Sequence, residues 1–418
     1  MKKCVQENKM RKYLVSHPTG NQNVRGVLAG LHDSEALLEF HTGFAWFNDR
    51  NSTNLSRRLL SVLAPRTYEN SYKELTKIYP KVEAIRVLKQ KIGGYIGSIQ
   101  YGSVEDSYDY IDKKVAKRLL KCGPEITDVF LSPNGGSVLE TMKAAKKRGK
   151  RVTYELVLGY WREAEQVLGN LALEYPEWAP TIPMVSTSES GKRRLDEELS
   201  LADRVIVASE YTLKTLNSFP GSIKELKMIP YGYPEVRKDN VKISTGNAKQ
   251  LNVLYTGALS QRKGIKEVFE CATRLSDKIN LTVIGAKIGN NSRVLDQHLK
   301  NVHWHPSLPH SEVLEEMRKA DILLFPSHFE GFGLVITEAM STGTPVITTK
   351  RTAGASIIRD GIDGWITEPG DVGHMVDILE DLLGNPKKLA RVSSAALLAA
   401  EGRPWSQYGS EIAKYLLE

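Results

Sequence analysis

The chain has 418 residues, of which 41% are hydrophobic and 25% are charged, a composition typical of a globular protein with two or three domains. Its three cysteines, Cys4, Cys122 and Cys271, have no metal-type spacing and no disulfide framework, which fits a reducing compartment. The first residues contain no apolar segment of a signal peptide, and no apolar run reaches the length of a membrane span. These observations predict a cytoplasmic protein.

Basic residues are concentrated in the first part of the chain. The net charge is +8, and residues 1–235 hold 35 Lys and Arg against 28 Asp and Glu, so this part carries nearly all of the excess. Segments 113–121 and 143–151 are the densest clusters, and the first has apolar residues at helical spacing. Their lysines are either solvated or attracted to anionic lipid headgroups, peripherally at the inner face of a membrane. No nucleic-acid partner is predicted, because no nucleic-acid-binding motif accompanies them.

The first predicted strand, Tyr13–Ser16, is followed by a loop and by a helical run from Val24 to Leu31. Gly20 in this loop permits close approach of a ligand to the backbone. Asn21 and Asn23 can bond to phosphate or hydroxyl groups, and all three are also ordinary turn residues. Later strands are predicted at Asp128–Leu131, Val152–Glu155 and Arg204–Val207, the last followed by a helix capped by Ser209, whereas residues 41–105 show no clear pattern.

The second part of the chain alternates regularly between strands and helices, which is typical of a parallel sheet covered by helices. Residues 230–234 and the polar residues up to 250 precede it and have the composition of a linker. The predicted strands end near Gly257, Gly285, Trp304, Phe325, Thr348 and Ile366. The predicted helices are Ile265–Leu275, Arg293–Lys300, Ser311–Lys319, Gly333–Ser341, Ala353–Arg359, Val372–Leu383 and a terminal helix that Pro404 opens and that reaches Leu417.

Two cations follow the first strand of this second part. The strand ends at Gly257, and Arg262 and Lys263 come just before Gly264. The carboxyl ends of parallel strands form the ligand-binding edge of open α/β sheets, and Arg and Lys both bind phosphate oxygens. Taken alone, such a pair is more simply explained as two solvated loop cations.

The most informative segment is the turn between the apolar run Ile322–Phe325 and the helical run that follows it. It contains Glu330, a Gly-Phe-Gly sequence at 331–333 and, eight residues after the first glutamate, Glu338. The first N–H groups of the helix attract anions, and the two carboxylates can accept hydrogen bonds from the hydroxyls of a sugar or a ribose. Together these features predict a site for a nucleotide-sugar.

The turn resembles the donor-site motif of retaining glycosyltransferases of family 4, and the resemblance extends from about residue 251 to 383 and more loosely over the first half. It implies the GT-B fold, an α/β fold in which two Rossmann-like domains face each other across a cleft. By this resemblance, residues 1–235 form an N-terminal acceptor-side domain and residues 236–404 form a C-terminal donor-binding domain. The helix at 405–418 is then expected to pack back on the N-terminal domain.

The resemblance also implies roles on the donor side. Arg262 and Lys263 are expected to stabilise the diphosphate leaving group without a metal ion, and Glu330 to hold the donor sugar; these three are the predicted catalytic residues. His303, His305 and His310 are interpreted as loop residues near the donor base, not as metal ligands. The predicted donor-binding residues are Gly20, Gly257, Leu308, Gly331, Phe332, Gly333, Leu334 and, for the ribose, Glu338.

The acceptor side follows the family pattern less closely. Many family members place a His after a middle strand of the first domain, but the corresponding stretch, 152–162, has none and carries Glu155 instead. The predicted acceptor-side residues are Glu155, Tyr160, Asn21 and Asn23. For Tyr160, packing in the core is an equally good explanation.

The implied function is transfer of a hexose, with retention, from a UDP- or GDP-type sugar to a hydroxyl of a glycan, lipid-linked or small-molecule acceptor, as in polysaccharide biosynthesis. No cofactor and no metal are expected. Because many family members act on lipid-linked acceptors, the resemblance also favours membrane contact through the basic N-terminal domain. Two alternatives remain: a nucleotide-sugar 2-epimerase of the GT-B fold, which needs no acceptor, and a non-catalytic GT-B partner protein.

Overall fold

The computed structural model describes residues 11–47, 66–82, 85, 104–133, 136–183, 188–236, 250–288 and 292–418. Every strand ladder within these residues is parallel, and the strands form a seven-stranded sheet, a six-stranded sheet and a separate pair. Cys122 and Cys271 are buried free thiols. Cys4 and the amino terminus, part of the region 41–105, and the linker residues 237–249 lie outside the described residues.

The first sheet is built from the first half of the chain. Its central strands are short apolar runs buried on both faces, as expected of parallel strands covered by helices. The strands predicted in this half are confirmed. The strand predicted at Val152–Glu155 extends one residue further at each end. From one edge to the other the sheet contains β5 (Thr76–Ile78), β2 (Leu37–Thr42), β1 (Tyr13–Ser16), β6 (Asp128–Leu131), β7 (Arg151–Leu156), β8 (Arg204–Val207) and β9 (Leu226–Met228), and the separate pair is β3 (Trp46–Phe47) with β4 (Thr67–Tyr68).

The helices of this half include both basic clusters. They are α1 (Gln22–Asp33), α2 (Val104–Lys121), α3 (Leu139–Lys147), α4 (Trp161–Glu174), α5 (Glu189–Leu201) and α6 (Glu210–Thr215). Ile111, Val115 and Leu119 of α2 are buried, whereas Leu120 is exposed. Several cations of the two clusters form ion pairs, for example Arg118 with Glu39 and Lys146 with Asp203. Contact of the remaining lysines with lipid stays a prediction. None of the described helices combines the length and the apolar character that crossing a bilayer requires.

The second sheet confirms the predicted alternation of strands and helices. Its strands, from edge to edge, are β12 (His303–His305), β11 (Ile279–Ile284), β10 (Leu251–Thr256), β13 (Ile322–Phe325), β14 (Val346–Thr349) and β15 (Trp365–Thr367). The helices are α7 (Ile265–Leu275), α8 (Arg293–Leu299), α9 (His310–Lys319), α10 (Leu334–Ser341), α11 (Gly354–Ile357), α12 (Val372–Gly384), α13 (Pro386–Glu401) and α14 (Trp405–Leu417).

Two sequence interpretations of this part need correction. His303 and His305 are not loop residues: they belong to the edge strand β12, which pairs with β11 and leaves both histidines exposed on either side of the half-buried Trp304. His310 is the first residue of α9. Helix α13 is absent from the sequence prediction, although Asn385 caps it through the N–H of Lys388 and proline occupies its first turn.

The C-terminal helix crosses back to the first sheet, as the family resemblance implies. The hydroxyl of Tyr13 donates to the carbonyl oxygen of Leu416 at 2.6 Å, and Arg204 Nη1 donates to the carbonyl oxygen of Tyr415 at 2.9 Å. Helices α14 and α1 touch at two glycines: a Cβ added to Gly30 would lie 1.9 Å from the carbonyl oxygen of Gly409. Helix α14 therefore packs against α1 and against strands of the first sheet.

We predict that Gly30→Ala destabilises the protein by about 1–3 kcal/mol, because the added methyl group has to push α14 away from α1. Gly169→Ala on α4 is the matched control, since a Cβ at that position meets no atom within 4 Å. The control should gain up to about 1 kcal/mol from improved helix propensity. Urea unfolding of both variants measures the difference, and equal stabilities would contradict the close helix contact.

Residues 175–182 connect the first half of the chain to the core of the second sheet. Trp178 in this bridging segment is buried, with its ring 6.1 Å from that of Phe269 and 5.7 Å from that of His298. Thr181 Oγ1 accepts the backbone N–H of Gln261 at 3.0 Å. The two sheets are therefore joined by this segment as well as by α14, and the boundary predicted between residues 235 and 236 stays a prediction.

Candidate active site

The glycine-rich turn, residues 326–333, joins β13 to α10 at the carboxyl edge of the second sheet. Gly333 has a φ of +87°, in the left-handed region that favours glycine. At Gly331 the requirement is space, because a Cβ there would lie 2.0 Å from the carbonyl oxygen of Val157. The turn therefore lies against the first half of the chain, and the unpaired N–H groups at the start of α10 follow it directly.

Two cations converge on this turn from the neighbouring strand β10. Arg262 and Lys263 lie in a 3₁₀ turn, Gln261–Lys263, that precedes α7. Lys263 Nζ is 2.8 Å from Oε2 of Glu330, and Arg262 Nη1 is 3.5 Å from the same oxygen. Arg262 Nη1 also donates to the carbonyl oxygen of Phe329 at 2.7 Å. The sequence-predicted residues Arg262, Lys263 and Glu330 thus form one cluster, with Gly257 beside the side chain of Lys263.

The electrostatics of Glu330 depend on the two cations. Burial by itself raises the pKa of a carboxyl group, but the charges of Lys263 and Arg262 outweigh it and hold the pKa of Glu330 below its ordinary value. Glu330 is therefore ionised at neutral pH. The cluster carries two positive charges and one negative charge next to the positive end of a helix, so its net charge favours an anionic ligand.

Three further residues, which the sequence analysis missed, hold the two turns together. Gln261 Nε2 donates to the carboxylate of Glu267 at 2.9 Å, and His328 Nε2 lies 2.9 Å from Glu267 Oε1. Burial raises the pKa of Glu267, but the hydrogen bonds from His328 and Gln261 and the charge of His328 outweigh it and lower the pKa overall. The N–H of His328 also donates to the carbonyl oxygen of Arg262 at 2.8 Å. No local sequence signal marks this network, because His328 lies 61 residues from Glu267 in the chain.

Glu338 lies apart from this cluster. It lines a cavity of about 770 Å³ together with Gln22, Tyr233 and Trp405, and the described lining includes none of Arg262, Lys263 and Glu330. Its Oε1 is 3.8 Å from Nε2 of His310. Burial raises the pKa of Glu338, and His310 partly opposes this. Leu308, two residues before His310, is half-buried and packs on the apolar core behind α10.

The loop after β1 is held by hydrogen bonds to His17, the residue that directly follows the strand. The backbone N–H groups of Thr19 and Gly20 donate to Nδ1 of His17 at 3.1 and 2.7 Å. Burial lowers the pKa of His17 to about 3, so its ring stays neutral and can accept both bonds. Asn21 Oδ1 accepts the hydroxyl of Thr19 at 3.0 Å. Gly20 and Asn21 are thus part of an ordered turn, and their contact with a ligand stays a prediction.

The other acceptor-side candidates are buried and have partners inside the protein. Glu155 Oε2 accepts Asn23 Nδ2 at 2.8 Å, and Glu155 Oε1 accepts the hydroxyl of Tyr408 in α14 at 3.3 Å. Burial raises the pKa of Glu155. The hydroxyl of Tyr160 donates to Asp196 at 2.5 Å. These bonds account for the burial of Asn23, Glu155 and Tyr160, and a role toward an acceptor stays a prediction for each.

The described part of the chain therefore contains one charged cluster at the carboxyl edge of the second sheet, which includes the predicted catalytic residues, and Gly331, Phe332, Gly333 and Leu334 adjoin it. Within the same residues, no group of three or more His, Cys, Asp and Glu side chains has the arrangement of a metal site. The arrangement can bind a phosphate group through Lys263, Arg262 and the first N–H groups of α10, while Glu330 can accept hydrogen bonds from hydroxyl groups.

Comparison with known sequences gives a family match in the second part of the chain. Residues 236–398 match the family described as "Glycosyl transferases group 1". A D-inositol 3-phosphate glycosyltransferase of Arthrobacter sp. (strain FB24) is 28% identical over 171 residues, which are 38% of this chain and 41% of that protein. A sucrose synthase of Acidithiobacillus caldus is 29% identical over 175 residues, 36% of this chain and 22% of that protein. The chain thus spans about two fifths or less of the length of these relatives.

Comparison with solved structures covers nearly the whole chain. Sucrose-phosphate synthase from Thermosynechococcus elongatus superposes with a TM-score of 0.63 at 14% identity, over 97% of this chain and 98% of that one. HepE from Anabaena, solved in complex with UDP and glucose, gives a TM-score of 0.60 at 16% identity, over 97% and 99% of the two chains. At these identities the likeness shows the fold. Residues 236–398 of this chain are therefore similar to the group 1 glycosyl transferases, and the chain as a whole has the GT-B fold.

Proposed function

We propose that the protein is a retaining glycosyltransferase that moves a hexose from a nucleotide-diphosphate sugar to a hydroxyl group of an acceptor. The observation that carries this proposal is the convergence of Lys263 and Arg262 on Glu330, beside the glycine-rich turn and the start of α10. The match of residues 236–398 to the group 1 family supports it.

The chemistry of the transfer requires positive charge at the leaving group. The bond between the anomeric carbon and the diphosphate breaks, the acceptor oxygen bonds to that carbon on the face that the diphosphate leaves, and the proton of the acceptor hydroxyl passes to an oxygen of the departing diphosphate. Negative charge builds on the departing diphosphate, and preorganised positive groups stabilise it most where water is excluded. In this proposal Lys263, Arg262 and the N–H groups of α10 supply that stabilisation, so a metal ion is not needed to neutralise the diphosphate.

Glu330 has two tasks in the proposed reaction. Before the donor binds, its carboxylate holds the ammonium group of Lys263 at 2.8 Å and so keeps the cation directed at the turn. With the donor bound, the carboxylate accepts hydrogen bonds from the sugar hydroxyls and opposes the positive charge that develops on the sugar ring. Glu338, in its separate cavity, is proposed to bind the ribose hydroxyls.

The nucleotide is proposed to be a UDP or GDP type. Solved structures of the same fold have been obtained with UDP and with UDP-glucose, which favours UDP. Titration of the protein with UDP, GDP and ADP, followed by thermal unfolding, tests this directly, because a ligand that binds only the folded state raises its Tm. We expect one of the first two to raise the Tm. No shift with any of them would count against the proposed donor site.

Product analysis separates transfer from the alternative reactions. The sugar product formed from the preferred donor is examined by NMR with a panel of sugar acceptors and without any acceptor. We expect a new glycosidic bond whose anomeric proton has the coupling constant of the donor. An altered donor sugar in the absence of any acceptor would indicate an epimerase, and donor binding without any product would indicate a non-catalytic protein.

A further inference from the structure

A second cavity, of about 360 Å³, lies at the boundary between the two halves of the chain. Its volume falls within the range of small-molecule sites, which occur preferentially between domains. The first half contributes the end of β7, the residues after it and the inner face of α4, whereas the second half contributes residues from the two turns of the candidate active site. The wall includes Leu158, Trp161, Ala164, Leu168, Arg262 and Phe329.

This apolar cavity adjoins the charged cluster, because Arg262 and Phe329 line it. Phe329 directly precedes Glu330, and its carbonyl oxygen accepts Nη1 of Arg262 at 2.7 Å. The ring of Phe329 is buried against the residues after β7, since a Cβ on Gly159 would lie 2.5 Å from it. A molecule in the cavity would therefore be next to the carboxylate and the cation that are proposed to bind the donor.

The wall formed by α4 is fixed relative to the phosphate-binding turn. The bridging segment, residues 175–182, follows α4 directly, and its Trp178 is buried in the core of the second sheet. Its Thr181 accepts the N–H of Gln261, the residue just before Arg262. Contacts with both halves of the chain therefore hold the α4 wall of the cavity in place. A binding site at a domain boundary requires such a fixed wall.

The lining of the cavity favours hydrocarbon over carbohydrate. The hydroxyl of Tyr160 bonds to Asp196, and the carboxylate of Glu155 bonds to Asn23. The two arginines of the lining also face groups of the protein: Arg194 lies 3.9 Å from the carboxylate of Glu198, and Arg262 donates to the carbonyl oxygen of Phe329. Sugar hydroxyls buried against such a wall would lose hydrogen bonds to water without replacement. Leu158 by contrast lines the cavity and has 40% of its surface exposed, and covering it would be favourable.

We propose that this cavity binds a hydrocarbon group of the acceptor, an alkyl or aryl substituent attached beside the sugar that receives the hexose. The inference rests on the proposed function, because it places the acceptor next to the donor site. It narrows the acceptor class to amphiphilic molecules: the sugar hydroxyl faces Glu330 and the diphosphate, and the hydrocarbon lies between α4 and Phe329.

Binding of two matched glucosides to the UDP-saturated protein tests this proposal. Octyl β-D-glucoside and methyl β-D-glucoside have the same sugar and differ only in the hydrocarbon, and 4-nitrophenyl β-D-glucoside separates aryl from alkyl preference. We expect calorimetric titration, below the micellar concentration, to show at least about tenfold tighter binding of the octyl or nitrophenyl compound than of the methyl compound. Equal affinities, or no binding of any of the three, would overturn the proposal.

Two substitutions then locate the effect. Ala164→Leu fills the cavity from the buried face of α4 and is expected to remove the preference, whereas Gly169→Leu places the same side chain where a Cβ meets nothing within 4 Å and should preserve it. Leu158→Ser, at an exposed position, weakens the preference even if Ala164→Leu fails to fold. A preference that survives in both Ala164→Leu and Leu158→Ser would show that the hydrocarbon binds elsewhere.

The UDP titration keeps this inference separate from the proposed function. Both substitutions should leave the affinity for UDP within about twofold, because they change apolar side chains of the cavity wall and leave Arg262, Lys263 and Glu330 unaltered. If UDP binds normally and the glucosides do not differ, the acceptor inference alone fails. If UDP does not bind to the unaltered protein but the octyl compound still binds more tightly than the methyl compound, the proposed donor site is at fault and the cavity assignment stands.

Discussion

Glu330→Gln is expected to lower kcat by about two orders of magnitude or more, the size of effect seen when one preorganised electrostatic contact is lost from an active site. Glutamine keeps the volume of the side chain but removes the negative charge that holds Lys263 and opposes the developing charge on the sugar ring. The measurement is the initial rate of nucleotide diphosphate release at saturating donor and acceptor. Binding of the donor should weaken much less than kcat falls.

Glu368→Gln provides a matched control for this substitution. Glu368 is exposed and its carboxylate pairs only with the exposed Lys350 among the contacts that the structure describes, so its loss should change neither rate nor stability by a measurable amount. A Glu330→Gln enzyme that keeps near-normal turnover would remove Glu330 from the reaction. Unfolding by urea in parallel shows whether any lost rate reflects a lost fold.

Lys263→Met is expected to lower kcat/KM by about a hundredfold, because a charge-assisted contact to the diphosphate disappears in a buried site. Methionine retains most of the aliphatic stem and removes the ammonium group, whose nitrogen lies 5.0 Å from the centroid of the Phe325 ring. This position is a cleaner probe than Arg262, whose guanidinium also holds the carbonyl oxygen of Phe329 and therefore helps to fix the turn itself.

The same substitution should also change the pH dependence of the rate. In the unaltered protein the two cations hold the pKa of Glu330 below its ordinary value despite burial. The acidic limb of the pH–rate profile is therefore expected at low pH. Without the charge of Lys263 only Arg262 and the backbone N–H of Gly331 oppose the effect of burial, so the pKa of Glu330 rises and the acidic limb moves to higher pH. Rates between pH 4 and 9 measure this shift.

Lys278→Met is the control, since Lys278 forms an exposed ion pair with Glu380 on the surface of the second half. It should leave both the rate and the pH profile as they are. An unchanged acidic limb in Lys263→Met, together with an unchanged rate, would mean that Lys263 neither contacts the diphosphate nor controls the ionisation of Glu330.

Local patterns in the sequence were sufficient for much of the fold. Most strands of the second sheet are short apolar runs that end at glycine or polar residues, and most of its helices have recognisable beginnings, so periodicity places these elements. The edge strand β12 and the helix α13 are the exceptions. The turn around Glu330 is also local: its two glycines and the helix after it lie within a dozen residues. The α/β class, and the two segments that carry Arg262, Lys263 and Glu330, could therefore be identified from the sequence.

The arrangement of residues that are distant in the chain could be learned only from the tertiary structure. Trp178 follows the helix α4 of the first half of the chain, yet it packs in the core of the second sheet. Glu155, at the end of the strand β7, bonds to the C-terminal helix. Glu267 and His328 are separated by 61 residues and meet only when two turns come together. Sequence periodicity determines which face of an element is apolar, but which partner covers that face depends on the packing of the whole chain. For that reason the apolar cavity beside Phe329, and the network that holds Arg262 and Lys263 in place, have no signature in the sequence.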